Sequence, residues 1–102
     1  MIKIPITNET KKIAANLIWF KTPEEAINDT YTFMAYLMKN GTVSEVATIK
    51  KHLEVKVMTA FEETLSHMPP GIMDKRSWVY WNTLFNRSPN TPLPQRLSLI
   101  HI

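Results

Sequence analysis

Apolar residues recur along this chain three and four positions apart, the spacing of a helix face, and almost nowhere at the alternation of a strand. From about Glu9 to Phe20, Ile13, Ala14, Leu17 and Ile18 share one face. "TPEE" then supplies a helix start, with Thr22 as cap, Pro23 at the first helical position and Glu25 three residues after the cap. This short turn leads into "NDTYTFMAYLMKNG", where Tyr31, Met34, Ala35 and Met38 form a stripe that Phe33 and Leu37 widen nearly all round. A helix apolar on most sides belongs at the centre of a fold. Asn40 and Gly41 predict a left-handed C-cap at its end.

"TVSE" starts the next helix with a second capping box, and Val43, Val46, Ala47, Ile49 and Leu53 form its predicted inner face. After a break near Glu54, a further helix turns Val57, Met58, Phe61 and Leu65 inward and stops before "MPPG", because two prolines cannot continue it. Asp74 caps an aromatic helix, and "RSPNTPLPQR" reads as an extended, proline-punctuated segment. Ile2, Ile4 and Ile6 alternate, which admits a short N-terminal strand paired with the tail. The closing "LSLIHI" reads as a short edge strand or as an expression or read-through scar. The pattern therefore predicts an all-α fold: a compact bundle of about five short helices over residues 1–87, including a helix-turn-helix-like pair, with an extended proline-rich tail over 88–102.

Composition narrows the functions open to such a bundle. A chain of 102 residues is one domain by size. Without cysteine it can form neither a disulfide framework nor a thiolate metal site, and a reducing cytoplasm is the expected location. "MIKIPITNETKK" lacks the apolar core of a signal peptide, and no run approaches the ~18 apolar residues of a membrane span. Asn8, Asn28, Asn40 and Asn86 each open a glycosylation tripeptide, but helix caps and turns favour the same residues, so each is read as a helix end. The net charge of +3 is spread thinly, with adjacent basic pairs only at Lys11-Lys12, Lys50-Lys51 and Lys75-Arg76. It admits an acidic partner without marking out a nucleic-acid face.

Catalytic constellations are missing from the residues. His52, His67 and His101 are scattered; Glu63 and His67 stand four apart, yet no third metal ligand accompanies them. Glu24-Glu25 and Glu62-Glu63 are adjacent pairs, which diverge by ~100° on a helix and cannot work as a joined acid and base. No nucleophile elbow or glycine-rich phosphate loop is present. The residues therefore predict no enzyme, no metal and no cofactor.

The aromatic stretch "DKRSWVYWNTLFNR" raises a choice between a stacking surface and a core. On a helix Trp78, Trp81 and Phe85 fall at i, i+3 and i+7 with Leu84 beside them, which is a core stripe; Tyr80 points away and is the aromatic expected to be exposed. Apolar surface left open around Tyr31, Tyr36 or Tyr80 would suit a homodimer. In the helix pair from Val43 to Leu65, the second helix "VKVMTAFEETL" would be the DNA reader, with Lys50, Lys51, Lys56 and Thr59 as contacts, but Glu62 and Glu63 would oppose phosphate.

The stretches "IWFKTPEEAINDTY", "MKNGTVSEVATIKKHL" and "MPPGIMDKRSWVYWNTLFNRSPNTPLPQR", together roughly residues 18–96, resemble a family of short bacterial helical proteins of uncharacterised biochemistry. Members are often encoded beside nucleotidyltransferases of the abortive-infection toxin class. The segment with Trp78, Tyr80 and Trp81 after the diproline turn is the most specific part. The resemblance implies, through gene neighbourhood, an antitoxin-like or partner role, and it carries no catalytic residue. Two readings result. One is a small protein–protein interaction module that binds another protein, with a nucleotidyltransferase-type toxin as the implied partner, through Tyr80, Arg87, an exposed Leu93 and Arg96. The other is a DNA-binding regulator working through Lys50, Lys51, Lys56 and Thr59.

Overall fold

The local signals translate directly into helices. A computed structural model of the chain describes residues 3–88 and 91–94. Its regular elements are α1 (Asn8–Leu17), α2 (Pro23–Asn28), α3 (Thr30–Asn40), α4 (Val43–Leu53), α5 (Val57–Ser66) and α6 (Lys75–Leu84), with a single 3-10 turn, Glu54–Lys56, joining α4 to α5. Five of these helices have ten or eleven residues; α2, the "TPEE" turn, has six. No strand occurs among the described residues. The fold is all-α, as the spacing predicts.

Reciprocal caps set three of the helix starts. Thr42 accepts from the Glu45 N–H at 3.1 Å while Glu45 accepts from the Thr42 N–H at 2.9 Å. Thr22 and Glu25 repeat the arrangement at α2. At α1 the pair is Thr7 and Thr10, a combination that does not spell a capping box, and the buried Thr10 hydroxyl also donates to the Pro5 carbonyl at 2.7 Å. All four glycosylation-pattern asparagines sit at helix ends: Asn8 opens α1, Asn28 and Asn40 close α2 and α3, and Asn86 follows α6 with φ 57°. Asn86 is a left-handed stop of the kind asparagine tolerates.

α3 lies at the centre. Its Phe33, Met34, Ala35 and Leu37 are fully buried, and it packs against α1, α2, α4 and α5. Ile13, Ala14 and Leu17 of α1, Ile27 of α2, Ile49 and Leu53 of α4, and Phe61 and Leu65 of α5 close around it. Trp78 of α6 joins the same core.

Several expected placements differ. Gly41 is extended (φ −66°, ψ 140°), so it is not a left-handed cap; glycine is needed because a Cβ there would lie 2.5 Å from the Leu37 carbonyl oxygen. The left-handed glycine is Gly71, φ 85°, in the turn before α6. Ile4 is buried beneath the bundle and Ile6 is exposed, with no strand between them. Pro5 cannot donate to a ladder, and the Thr7–Thr10 cap turns the chain into α1 instead. Ile2 and the "LSLIHI" segment lie outside the described residues. Asp74 occupies the N-cap position of α6 without a side-chain hydrogen bond to the helix backbone. The Ser77 hydroxyl, one turn on, holds its carboxyl below the usual carboxylate range.

The inner face of α4 is narrower than its apolar pattern. Ile49 and Leu53 are buried and Val46 is half-buried, whereas Val43 and Ala47 face outward. Positions 43, 47 and 50 form their own row on the helix, turned away from the row of 46, 49 and 53 that meets α3. In α6, Trp78 and Asn82 mark the buried side. At ~100° per residue Leu84 falls between Tyr80 and Trp81, off that side, and it is exposed.

Candidate binding groove

The outward rows of α4, α5 and α6 meet in one hollow. A groove of about 620 Å³ runs between these helices, lined by Gly41, Val43, Val46, Ala47 and Lys50 from the start and outer side of α4, Met58 and Phe61 from α5, and Tyr80, Trp81, Leu84 and Phe85 from α6 and its end. Its floor is aromatic. Trp81, half-buried, lies with its ring centroid 5.1 Å from that of Phe61 and 6.5 Å from that of Phe85, the latter nearly parallel at 22°.

Backbone chemistry fixes that floor. Met38 stands in the last turn of α3, where carbonyls have no partner further along the helix. The Trp81 indole N–H donates to the Met38 carbonyl oxygen at 3.0 Å, which satisfies that orphan acceptor and locks the ring. Tyr80 stands edge-on to Trp81, centroids 5.4 Å apart and planes at 86°.

The rim is apolar and open. Val43 is 89% exposed, Tyr80 60%, and Met58 and Leu84 54% each. Lys50 is the sole charged residue of the lining, and it makes no ion pair among the described residues. Single exposed apolar side chains are ordinary, but four around one aromatic floor form a continuous patch of the kind that marks interaction sites.

Of the sequence-predicted partner residues that the structure describes, Tyr80 alone stands in this groove. Arg87 ties the end of α6 to the end of α5, its guanidinium donating to the Ser66 hydroxyl at 3.0 Å. Leu93 is not free: it is half-buried against the core. The Trp78 indole N–H donates to the Thr91 carbonyl oxygen at 2.9 Å, which brings residues 91–94 back onto the bundle. Arg96 lies outside the described residues.

The predicted DNA-contacting residues are all exposed but divided. Lys50 lines the apolar groove, while Lys56 and Thr59 border a separate hollow with Lys3, Pro5 and Val55. Tyr31 and Tyr36 are half-buried: Tyr31 lies parallel to the His67 ring at 4.8 Å, and Tyr36 meets Phe20 edge-on at 6.1 Å. The His67 ring is thus engaged, with Nδ1 3.0 Å from the Glu63 carbonyl oxygen.

Helical spacing alone turns Val43, Met58 and Leu84 inward and gives Trp19 and Phe20 no role. The last two sit in the α1–α2 turn, 82% and 52% exposed. Their one visible signal was position, just beyond the end of α1 and before the Thr22 cap. No helix among the described residues is long and apolar enough to cross a membrane, and among them no three His, Asp or Glu side chains gather as a metal site. No family model, curated protein or solved structure matches this chain.

Proposed function

We propose that this chain is a small helical interaction module that receives an apolar segment of another protein in the α4–α5–α6 groove. The observation that carries the reading is the exposed apolar rim of Val43, Met58, Tyr80 and Leu84 over a floor locked by the Trp81–Met38 hydrogen bond. A pre-set floor lowers the ordering cost of binding, and Tyr and Trp dominate binding energy at interfaces. The resemblance of the Trp78–Tyr80–Trp81 segment names the first partner to try, a nucleotidyltransferase encoded beside the gene, with this chain in an antitoxin-like role.

The DNA-regulator alternative has weaker support. The outward side of α5 carries Glu62, and two of the basic residues it would need, Lys50 and Lys56, line separate hollows. A gel shift against the upstream promoter that is flat at low salt removes it.

Co-expression with the neighbouring gene product tests the main reading. A stoichiometric complex is expected with the wild type and is lost in Tyr80→Asp and Leu84→Glu, with melting unchanged because both side chains are exposed. A wild type that forms no complex, or a complex indifferent to both substitutions, overturns it.

A further inference from the structure

We infer that the occupant of the groove is an amphipathic helix carrying a carboxylate at one end of its apolar stripe. This rests on the docking role proposed above and goes beyond it by fixing the chemistry of the partner.

Hydrogen-bonding capacity selects the helix. Among the lining side chains only the Tyr80 hydroxyl and the Lys50 ammonium can bond an incoming chain, because the Trp81 N–H is already committed to Met38. The walls are helices, and none of the described residues forms a strand whose edge could pair with an added one. An extended segment entering this groove would leave its backbone N–H and C=O groups desolvated and unpaired, whereas a helix satisfies them internally. Length agrees. Val43 and Lys50 lie seven residues apart on α4, ~10 Å along its axis, the distance spanned by anchors at i, i+4 and i+7 of a partner helix.

Charge selects the carboxylate. Lys50 is the single cation of the lining, is exposed and lacks an ion pair among the described residues, and the chain as a whole carries +3. An acidic residue at the end of the partner's stripe nearest Lys50 meets it as the apolar anchors seat. One cation is too few for a nucleic-acid strand, which needs a row of phosphate contacts.

The test is affinity selection by the intact chain from a random display library of 16-residue peptides. The strongest binders are then measured against wild type, Leu84→Glu and Lys50→Glu; both substituted positions are exposed, so both variants fold. The expected binders are helix-forming peptides with an Asp or Glu beside the stripe. Their affinity falls at least about tenfold in each variant, and replacing the peptide's acid by Lys restores binding to Lys50→Glu. Binders that need Leu84 but are neutral, basic or proline-bearing overturn this inference while leaving the docking role standing. Binders indifferent to Leu84→Glu overturn both. A single-stranded oligonucleotide that binds through Tyr80, with no peptide competing, also overturns it.

Discussion

Three tryptophans occupy three different surroundings, and each answers differently to substitution. Trp78 is 3% exposed and hydrogen-bonded, Trp81 is shared between core and groove, and Trp19 stands almost free in a turn. Wild-type emission should therefore mix a buried and an exposed contribution. Trp19→Phe should shift the emission to the blue and cut quenching by acrylamide without lowering the melting temperature; an unchanged spectrum would mean that Trp19 is packed in solution. Trp78→Ala should cost ~3–5 kcal/mol in urea unfolding, the range for truncating a buried large aromatic, against ~0.5 kcal/mol for Tyr80→Ala at the exposed rim. In a domain whose whole stability is ~5–15 kcal/mol, the first change threatens folding and the second does not. The i, i+3, i+7 spacing rightly made Trp78 core. It could not show that Trp81 and Phe85 are only half-buried, because the apolar arc of a helix can be wider than the core it meets, and the excess faces whatever docks there.

Among the elements, the caps were the most legible feature and backbone strain the least. Thr22–Glu25 and Thr42–Glu45 announce themselves, since the chemistry of a capping box is written in residue types; Thr7–Thr10 achieves the same with a hydroxyl and so was hidden. The break between α4 and α5 was expected near Glu54, but its form was not. Glu54 has φ 54° and ψ −123°, a conformation that favours glycine. Glu54→Gly should raise stability on the order of 1 kcal/mol, seen as a higher urea midpoint at unchanged slope. A lower midpoint would show that the side chain compensates the strain. Asp74 adds a pH dependence of known sign. Its carboxyl, held low in the folded state by the Ser77 hydroxyl, stabilises the fold above the usual carboxylate pKa, and that contribution disappears as pH falls through the lowered value. Asp74→Asn should flatten the acid limb of the stability curve and leave its neutral plateau shape unaltered. What the pattern of α4 could not reveal was which of its apolar rows meets α3. Val43 and Ala47 are as apolar as the row of Ile49, although their row ends on Lys50, and it is the packing of the other helices that turns them outward.

At the scale of the whole molecule, the all-α class followed from spacing, while the return of residues 91–94 onto the bundle did not. A proline-punctuated segment after the last helix looks detached, and nothing in its composition shows that the Thr91 carbonyl will meet an indole thirteen residues earlier. The physical reason is donor accounting. Trp78 is buried, and its N–H needs an acceptor that the helical backbone around it has already used. The Thr91 carbonyl supplies it, and Leu93 covers adjacent core surface. Deleting residues 89–102 should therefore destabilise the bundle by ~1–3 kcal/mol from the unpaired N–H alone, with a further loss from uncovering the surface beneath Leu93. Measured in a Trp19→Phe background, the truncated chain should also show a red-shifted emission as water reaches the Trp78 indole. Thr91→Ala keeps the carbonyl and should behave like the full chain, which separates the backbone bond from any role of the threonine side chain. A truncated chain with the full chain's urea midpoint would mean that water replaces the Thr91 carbonyl at no cost, and the tail would then be no part of what holds the bundle together.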